Sequence, residues 1–75
     1  MDLYILGKTI KDKRKSMGIS LNKMSNDLYG NRYMVNHFSS IEKGDVDVRF
    51  TVLLKIFKYL EIKKSSFKEL LYNLN

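Results

Sequence analysis

Two turn signals divide the first half of this chain into short helical segments. In Gly18-Ile19-Ser20, the glycine supplies a permissive backbone and the serine supplies a side-chain oxygen that can cap a new helix. Gly44 follows an amphipathic segment and predicts the end of another helix. Two short helices joined tightly in a small basic protein are typical of a helix-turn-helix, whose second helix can enter the major groove of DNA.

Apolar residues recur at helical spacing along the chain, so we predict a single all-α domain with five helices. The predicted helices cover residues 3–17, 21–29, 34–43, 50–60 and 66–74. The apolar positions of the first are Leu3, Leu6, Ile10 and Met17. The predicted inner face of the third consists of Val35, Phe38, Ile41 and Glu42. The stripe of the fourth consists of Phe50, Leu53, Leu54, Phe57 and Leu60. The fifth begins with a capping box at Ser66 and Glu69, and residues 45–48 are predicted to form a loop.

The composition argues against several classes of protein. There is no cysteine, and the single histidine, His37, has no carboxylates at metal-ligand spacing, so neither disulfides nor a metal or cofactor site is expected. No apolar run approaches the roughly 18 residues of a membrane span, and the N-terminus lacks the order of a signal peptide. No nucleophile–base pair, catalytic carboxylate pair or phosphate loop points to an enzyme. We therefore expect a cytoplasmic protein that is not an enzyme and has no membrane partner.

The net charge of +6 comes from 14 basic and 8 acidic residues, and the basic excess is strongest just before the first turn. That cluster, opposed only by Asp12, consists of Lys8, Lys11, Lys13, Arg14 and Lys15. Such a cluster is usually a solvated helix face, but its position directly before the turn favours a surface that faces phosphates. A membrane-surface helix is a further alternative, although the apolar side of this helix is sparse and better suited to a core.

Several short pieces of the chain form one pattern when they are taken in order and at their intervals. They are Leu6-Gly7, Ile10, Arg14, Gly18-Ile19-Ser20, Phe38-Ser39-Ser40-Ile41-Glu42-Lys43-Gly44, Leu53-Leu54, Leu60, Ile62, Ser66-Phe67 and Leu70-Leu71. This pattern resembles the Cro/C1-type (XRE-like) helix-turn-helix DNA-binding family. The resemblance covers nearly the whole chain, and it implies a compact five-helix, phage-repressor-like domain in which helices 2 and 3 form the helix-turn-helix.

The chain departs from the family pattern at three places. Leu21 stands where the family usually has a glutamine that donates to a phosphate, so either Asn22 or Lys23 takes over that contact or the contact is missing. Ser25 replaces the family's alanine. The loop Gly30-Asn31-Arg32-Tyr33 is longer than usual, and in this it is similar to the N-terminal domains of Rgg-like regulators.

The resemblance implies roles for particular residues of helices 1 and 3. The family pairs an arginine of helix 1 with a glutamate at the end of the recognition helix, which here implies a structural salt bridge between Arg14 and Glu42, although Arg14 could also contact phosphate. The candidates for base contacts are Met34, Val35, Asn36, Ser39 and Ser40. Asn36 is the best of them, because its amide can pair bidentately with adenine. The alternatives are that Asn36 caps helix 3 or faces solvent, and that Val35 packs in the core.

Phosphate contacts are expected from polar and basic residues around helix 3, and such contacts fix register and add affinity without reading sequence. The candidates are Asn22, Lys23, Arg32, Tyr33, His37, Lys43 and Arg49. Tyr33 could equally pack against helix 2.

A single domain of this size buries little surface on DNA, so a homodimer on two half-sites is expected. The candidates for the dimer interface lie on helix 5 and are Phe67, Leu71, Tyr72 and Leu74. The alternative is that this apolar face packs on helices 1 and 4. The resulting hypothesis is a sequence-specific regulator that binds double-stranded DNA, most simply a repressor. Two alternatives are an antitoxin that binds a toxin protein and represses its own operon, and a protein-interaction module that does not bind DNA.

Overall fold

A computed structural model of the protein describes residues 2–63, and within that range the chain forms four α-helices and no strand. The helices are α1 (Leu3–Ser16), α2 (Leu21–Tyr29), α3 (Val35–Lys43) and α4 (Phe50–Tyr59). The all-helical prediction is confirmed, each of these helices ends within one residue of its predicted bounds, and residues 45–48 form a loop. The predicted fifth helix lies outside the described residues. So do its capping box and all the dimer candidates, which are Phe67, Leu71, Tyr72 and Leu74.

The helix ends follow local hydrogen-bonding chemistry. The Ser20 side chain accepts a hydrogen bond from the Lys23 backbone N–H at 3.0 Å, as the capping signal predicts. The side chain of Asp2 caps α1 in the same way, since its Oδ1 accepts from the backbone N–H groups of Tyr4 and Ile5 at 2.9 and 3.1 Å. This Asp cap was not predicted, although an aspartate directly before an apolar helical stripe is a recognised start signal.

The core lies between the four helices. Its buried side chains are Leu6, Ile10, Met24, Phe38, Ile41, Leu53, Ile56, Phe57 and Leu60. Tyr29 extends this core toward the surface, because its ring packs at 6.1 Å from the Phe38 ring and carries the Lys55 ammonium 4.8 Å above its centre. Both contacts tie α2 to its neighbours.

Two predictions about the apolar faces are wrong. Phe50 and Leu54 are 59% and 48% exposed, whereas the fully buried Ile56 was not in the predicted stripe. The reason is the rotation of α4, whose buried line runs through Leu53, Ile56, Phe57 and Leu60 and leaves the other two positions at its edge. Met17 is 36% exposed because α1 ends at Ser16 and Met17 is its C-cap residue.

The backbones of α1 and α3 approach each other closely. A Cβ on Gly7 would overlap the carbonyl oxygens of Ile41 and Glu42. At the other end of the contact, Gly44 has a φ of 76°, and a Cβ there would lie 2.9 Å from the Cα of Tyr4. Both positions therefore require glycine, and together they bring the start of α1 against the end of α3.

Candidate functional site

A buried ion pair joins α1 to the C-terminal end of α3. Arg14 Nε and Nη2 donate to the two carboxylate oxygens of Glu42 at 2.7 and 2.9 Å, and Arg14 Nη1 donates to the Ile19 carbonyl at 2.7 Å. The pair implied for these two residues is therefore present. Because the side chains are only 9% and 4% exposed and three guanidinium nitrogens are used, Arg14 serves as an internal brace.

The orientation of α3 follows from this brace and from the core. Phe38, Ile41 and Glu42 point inward and are buried. At about 100° per residue, the positions opposite this face are those of Asn36, Ser40 and Lys43. This outer face of α3, defined by Asn36, Ser40 and Lys43, is therefore polar and basic.

Asn36 is the most accessible of the base-contact candidates. Its side chain is exposed and makes no hydrogen bond to any described residue. Met34, not Asn36, occupies the N-cap position of α3, and α3 has no side-chain cap, so the alternative that Asn36 caps this helix is wrong. The exposed position with free amide groups is what direct contact with a base would need.

The other base-contact candidates are half-buried. Met34 packs against the core, which limits it to apolar contacts. Val35 lies at the edge of the inner face and is half-buried. The prediction that it belongs to that face is therefore only partly correct. Ser39 and Ser40 are also half-buried. Of the predicted set, Asn36 alone is exposed.

The phosphate-contact candidates lie on the surface. The exposed ones are Asn22, Lys23, Arg32, Tyr33, His37, Lys43 and Arg49. Tyr33 is 89% exposed, so the alternative that it packs against α2 is wrong. Asn22 and Lys23 occupy the first turn of α2, where the Lys23 backbone N–H is already bonded to Ser20 Oγ.

The loop between α2 and α3 is tied to α2 by one serine. Ser25 Oγ donates to the Asn31 carbonyl at 2.6 Å and accepts from the Met34 backbone N–H at 3.2 Å. The Asn31 side chain in turn accepts from the Tyr33 N–H at 3.0 Å. Ser25 is fully buried, so a hydroxyl in this position satisfies loop groups that would otherwise lack a partner. The long loop is thereby fixed at the start of α3.

A second polar link joins α2 to α4. Asp27 accepts a hydrogen bond from the Tyr59 hydroxyl at 2.6 Å and pairs with the Lys23 ammonium at 3.1 Å. The Tyr59 hydrogen bond, followed by that from Lys23, holds the pKa of the Asp27 carboxyl below its ordinary value of 3.8. Burial, followed by the hydrogen bond to Asp27, raises the pKa of Tyr59 from 10.0 to about 12. Lys23 is thus exposed but already has an anionic partner.

A basic groove lies between α1 and the C-terminal end of α3, with a volume of about 480 Å³. Its lining residues are Tyr4, Lys8, Lys11, Asp12, Lys15, Glu42 and Lys43. The sequence indicated a basic cluster on α1 but not that α3 forms the other wall. The spacing of Tyr4, Lys8, Lys11 and Lys15 is a signal that could have shown one continuous helix face.

Searches against protein-family models, curated proteins and solved structures gave no match. Within residues 2–63 there is no cluster of three or more side chains that could hold a metal ion. None of the four described helices is both long enough and apolar enough to cross a membrane.

Proposed function

We propose that this protein is a sequence-specific transcriptional regulator of the Cro/C1 type that binds double-stranded DNA and acts as a repressor. In this proposal α2 and α3 form a helix-turn-helix, and α3 lies in the major groove. One observation carries it. The outer face of α3 presents Asn36, exposed and without a hydrogen-bond partner among the described residues, directly opposite the buried face of the helix.

A helix that reads bases must be held firmly, because a loosely held side chain loses geometric discrimination. Here α3 is fixed at both ends. Ser25 holds its start through Asn31 and Met34, and Arg14 holds its end through Glu42. These links support a reading role for α3, since none of them uses a side chain of its outer face.

The outer face offers chemistry suited to base edges. The Asn36 amide can donate from Nδ2 to adenine N7 and accept at Oδ1 from the adenine N6 amino group. This bidentate pairing selects adenine and is worth about 1–3 kcal/mol of discrimination. Ser40 is short and half-buried, so it would add a single hydrogen bond at most. Exposed cations at Arg32 and Arg49 lie beyond the two ends of α3 and would contact phosphates.

The proposed regulator acts as a homodimer. One domain of 75 residues presents one short reading helix, and a single such module binds only a few base pairs. Two copies on half-sites about one helical turn apart, roughly 34–36 Å, would give affinity and specificity suited to regulation.

The test is a selection of binding sites from random duplex DNA, followed by titration of the selected site and of a scrambled duplex. We expect a two-fold symmetric site and a steep dependence of affinity on salt. Asn36→Ala should weaken binding to the selected site about tenfold, which corresponds to about 1.4 kcal/mol, and leave binding to the scrambled duplex unchanged.

A matched control is Asn26→Ala, which removes an exposed asparagine side chain from α2 instead of α3. This variant should bind both duplexes as the parent protein does. Recovery of no enriched sequence would contradict the proposed function. Equal losses on selected and scrambled DNA for Asn36→Ala would contradict the reading role of Asn36.

A further inference from the structure

We infer that the basic groove between α1 and the C-terminal end of α3 is a second DNA contact, which holds the sugar–phosphate backbone of the duplex that α3 reads. This inference rests on the proposed function and adds a binding surface to it. Most of this surface lies on α1, outside the proposed helix-turn-helix, where its cations are Lys8, Lys11 and Lys15. Lys43 of α3 stands on the opposite wall.

The lysines of α1 form a continuous line. Tyr4, Lys8, Lys11 and Lys15 follow one another at intervals of four, three and four residues, so they lie on one face of the helix. At about 1.5 Å per residue, Lys8 and Lys15 are separated by roughly 10 Å along the helix axis. A row of cations of this length can reach more than one phosphate of the negatively charged DNA backbone.

Within residues 2–63, most of this positive charge is not neutralised by an acidic partner. The groove contains two acidic residues, and both are engaged: Glu42 by Arg14, and Asp12 by Lys8 at 3.2 Å. Lys11, Lys15 and Lys43 form no ion pair with any described residue, although all three line the same groove. Three free ammonium groups around one concavity raise its potential and attract an anion.

The chemistry of the lining favours phosphate over a protein carboxylate. Every available cation is a lysine, which binds phosphate as a point charge, whereas the one arginine nearby is buried and already paired. Lysine is depleted in protein–protein interfaces, which instead concentrate apolar and aromatic residues. Among the described residues that line the groove, Tyr4 is the one aromatic residue. It is 64% exposed and carries a hydroxyl that can donate to a phosphate oxygen.

Lys43 connects the groove to the outer face of α3. It lines the groove, and it also lies on the side of α3 that carries Asn36. A strand whose bases face Asn36 would therefore bring its phosphates toward Lys43 and then toward the lysines of α1. This continuity assigns the groove to the backbone of the same duplex.

The test compares two double variants with equal loss of charge. Lys11→Gln/Lys15→Gln removes two cations of the groove, and Lys58→Gln/Lys63→Gln removes two exposed cations from α4 and the residues after it. The affinity of each protein for the selected duplex and for a scrambled duplex is measured across a range of salt concentrations. Thermal unfolding of each variant checks that it is folded.

We expect the groove variant to bind both duplexes roughly tenfold or more weakly near 0.1 M salt, and its slope of log affinity against log salt to fall by about 1.8. The ratio of affinities for the two duplexes should not change, because phosphate contacts do not read sequence. The control variant should keep most of the original slope. Lys43→Gln alone should lower the slope by about 0.9.

Equal slopes for the groove variant and the control variant would overturn the inference while leaving the proposed function intact. The same result, accompanied by loss of binding to an acidic polypeptide such as poly-glutamate in the groove variant only, would reassign the groove to a protein partner. If the unaltered protein binds DNA no more tightly than an unrelated protein of equal charge, both the proposed function and this inference are contradicted.

Discussion

Gly7 of α1 faces the backbone carbonyl of Glu42 in α3 with no space for a side chain between them. A Cβ on Gly7 would lie 2.5 Å from that oxygen, and the atoms that it meets are backbone atoms, which cannot rotate away. A side chain at position 7 is therefore excluded by steric overlap with the backbone of α3.

Gly7→Ala is the first prediction. In an exposed helix, replacing glycine with alanine usually stabilises by about 0.5–1 kcal/mol. Here the sign should reverse, because the added methyl group forces α1 and α3 apart at a cost of about 1–3 kcal/mol. Thermal and denaturant unfolding measure the change. Lys11→Ala, on the exposed side of the same helix, serves as the control and should stay within about 0.5 kcal/mol of the parent protein. A Gly7→Ala variant more stable than the parent would show that the helices are not held at this distance.

The second prediction concerns the ion pair. Glu42→Ala should lower the free energy of unfolding by about 3 kcal/mol, because it leaves the buried Arg14 guanidinium without its anion. For a domain of this size, that loss corresponds to a fall in Tm of more than 10 °C, at about 4–8 °C per kcal/mol. Glu61→Ala removes an exposed carboxylate beyond the end of α4 and is the control. Similar melting temperatures for the two variants would refute the bracing role.

The third prediction concerns Ser25. In Ser25→Ala, the Asn31 carbonyl and the Met34 N–H both lose their hydrogen-bond partner, which should cost about 1–3 kcal/mol. The loosened loop should also expose the start of α3, so hydrogen exchange should accelerate at Met34 more than at Phe38. Ser16→Ala, which removes an exposed hydroxyl bonded to the Lys13 carbonyl, is the matched control. Unchanged exchange at Met34 would mean that the loop is held by other contacts.

The fourth prediction concerns pH. Burial, followed by the hydrogen bond to Asp27, raises the pKa of Tyr59 from 10.0 to about 12. The protonated phenol therefore adds stability that is complete below pH 10.0 and is lost as the pH rises through about 12. At the acid end, the lowered pKa of Asp27 gives a contribution that is present above pH 3.8 and is lost as the pH falls through that lowered value. The melting temperature of the protein minus that of Tyr59→Phe should therefore shrink at both extremes. Tyr33→Phe, whose parent side chain is exposed, should show no such trend. A constant difference across the whole range would contradict the pairing.

Local signals predicted much of the fold. Ser20 and Gly44 fixed helix ends because capping chemistry acts over a few residues. The buried face of α4 was harder to predict, because its apolar residues cover more than half of the helix circumference. Periodicity alone did not exclude Leu54 from the core. Packing of α4 into the shared core decides that rotation, and a single segment contains no information about it.

The candidate site also combines features that the sequence predicts with features that only the packing of the helices creates. Resemblance to a family pattern was enough to pair Arg14 with Glu42, although 28 residues separate them. The contact between Asp27 and Tyr59 has no local signature, because its residues are brought together only when α4 docks on α2. The sequence predicted one wall of the basic groove, the lysines of α1. The second wall, which includes Lys43, forms only when α3 packs against α1.

The close contacts at Gly7 and Gly44, with the Arg14 brace, oppose any sliding or swinging of α3 relative to α1. If α3 reads DNA as proposed, a helix held in this way requires the duplex to adapt to it. The protein would then recognise how readily a sequence bends as well as the bases that it touches. Under the proposed function, we expect the selected DNA sites to share flexible pyrimidine–purine steps at positions that no side chain reaches. Binding should cost little protein entropy because α3 is already folded.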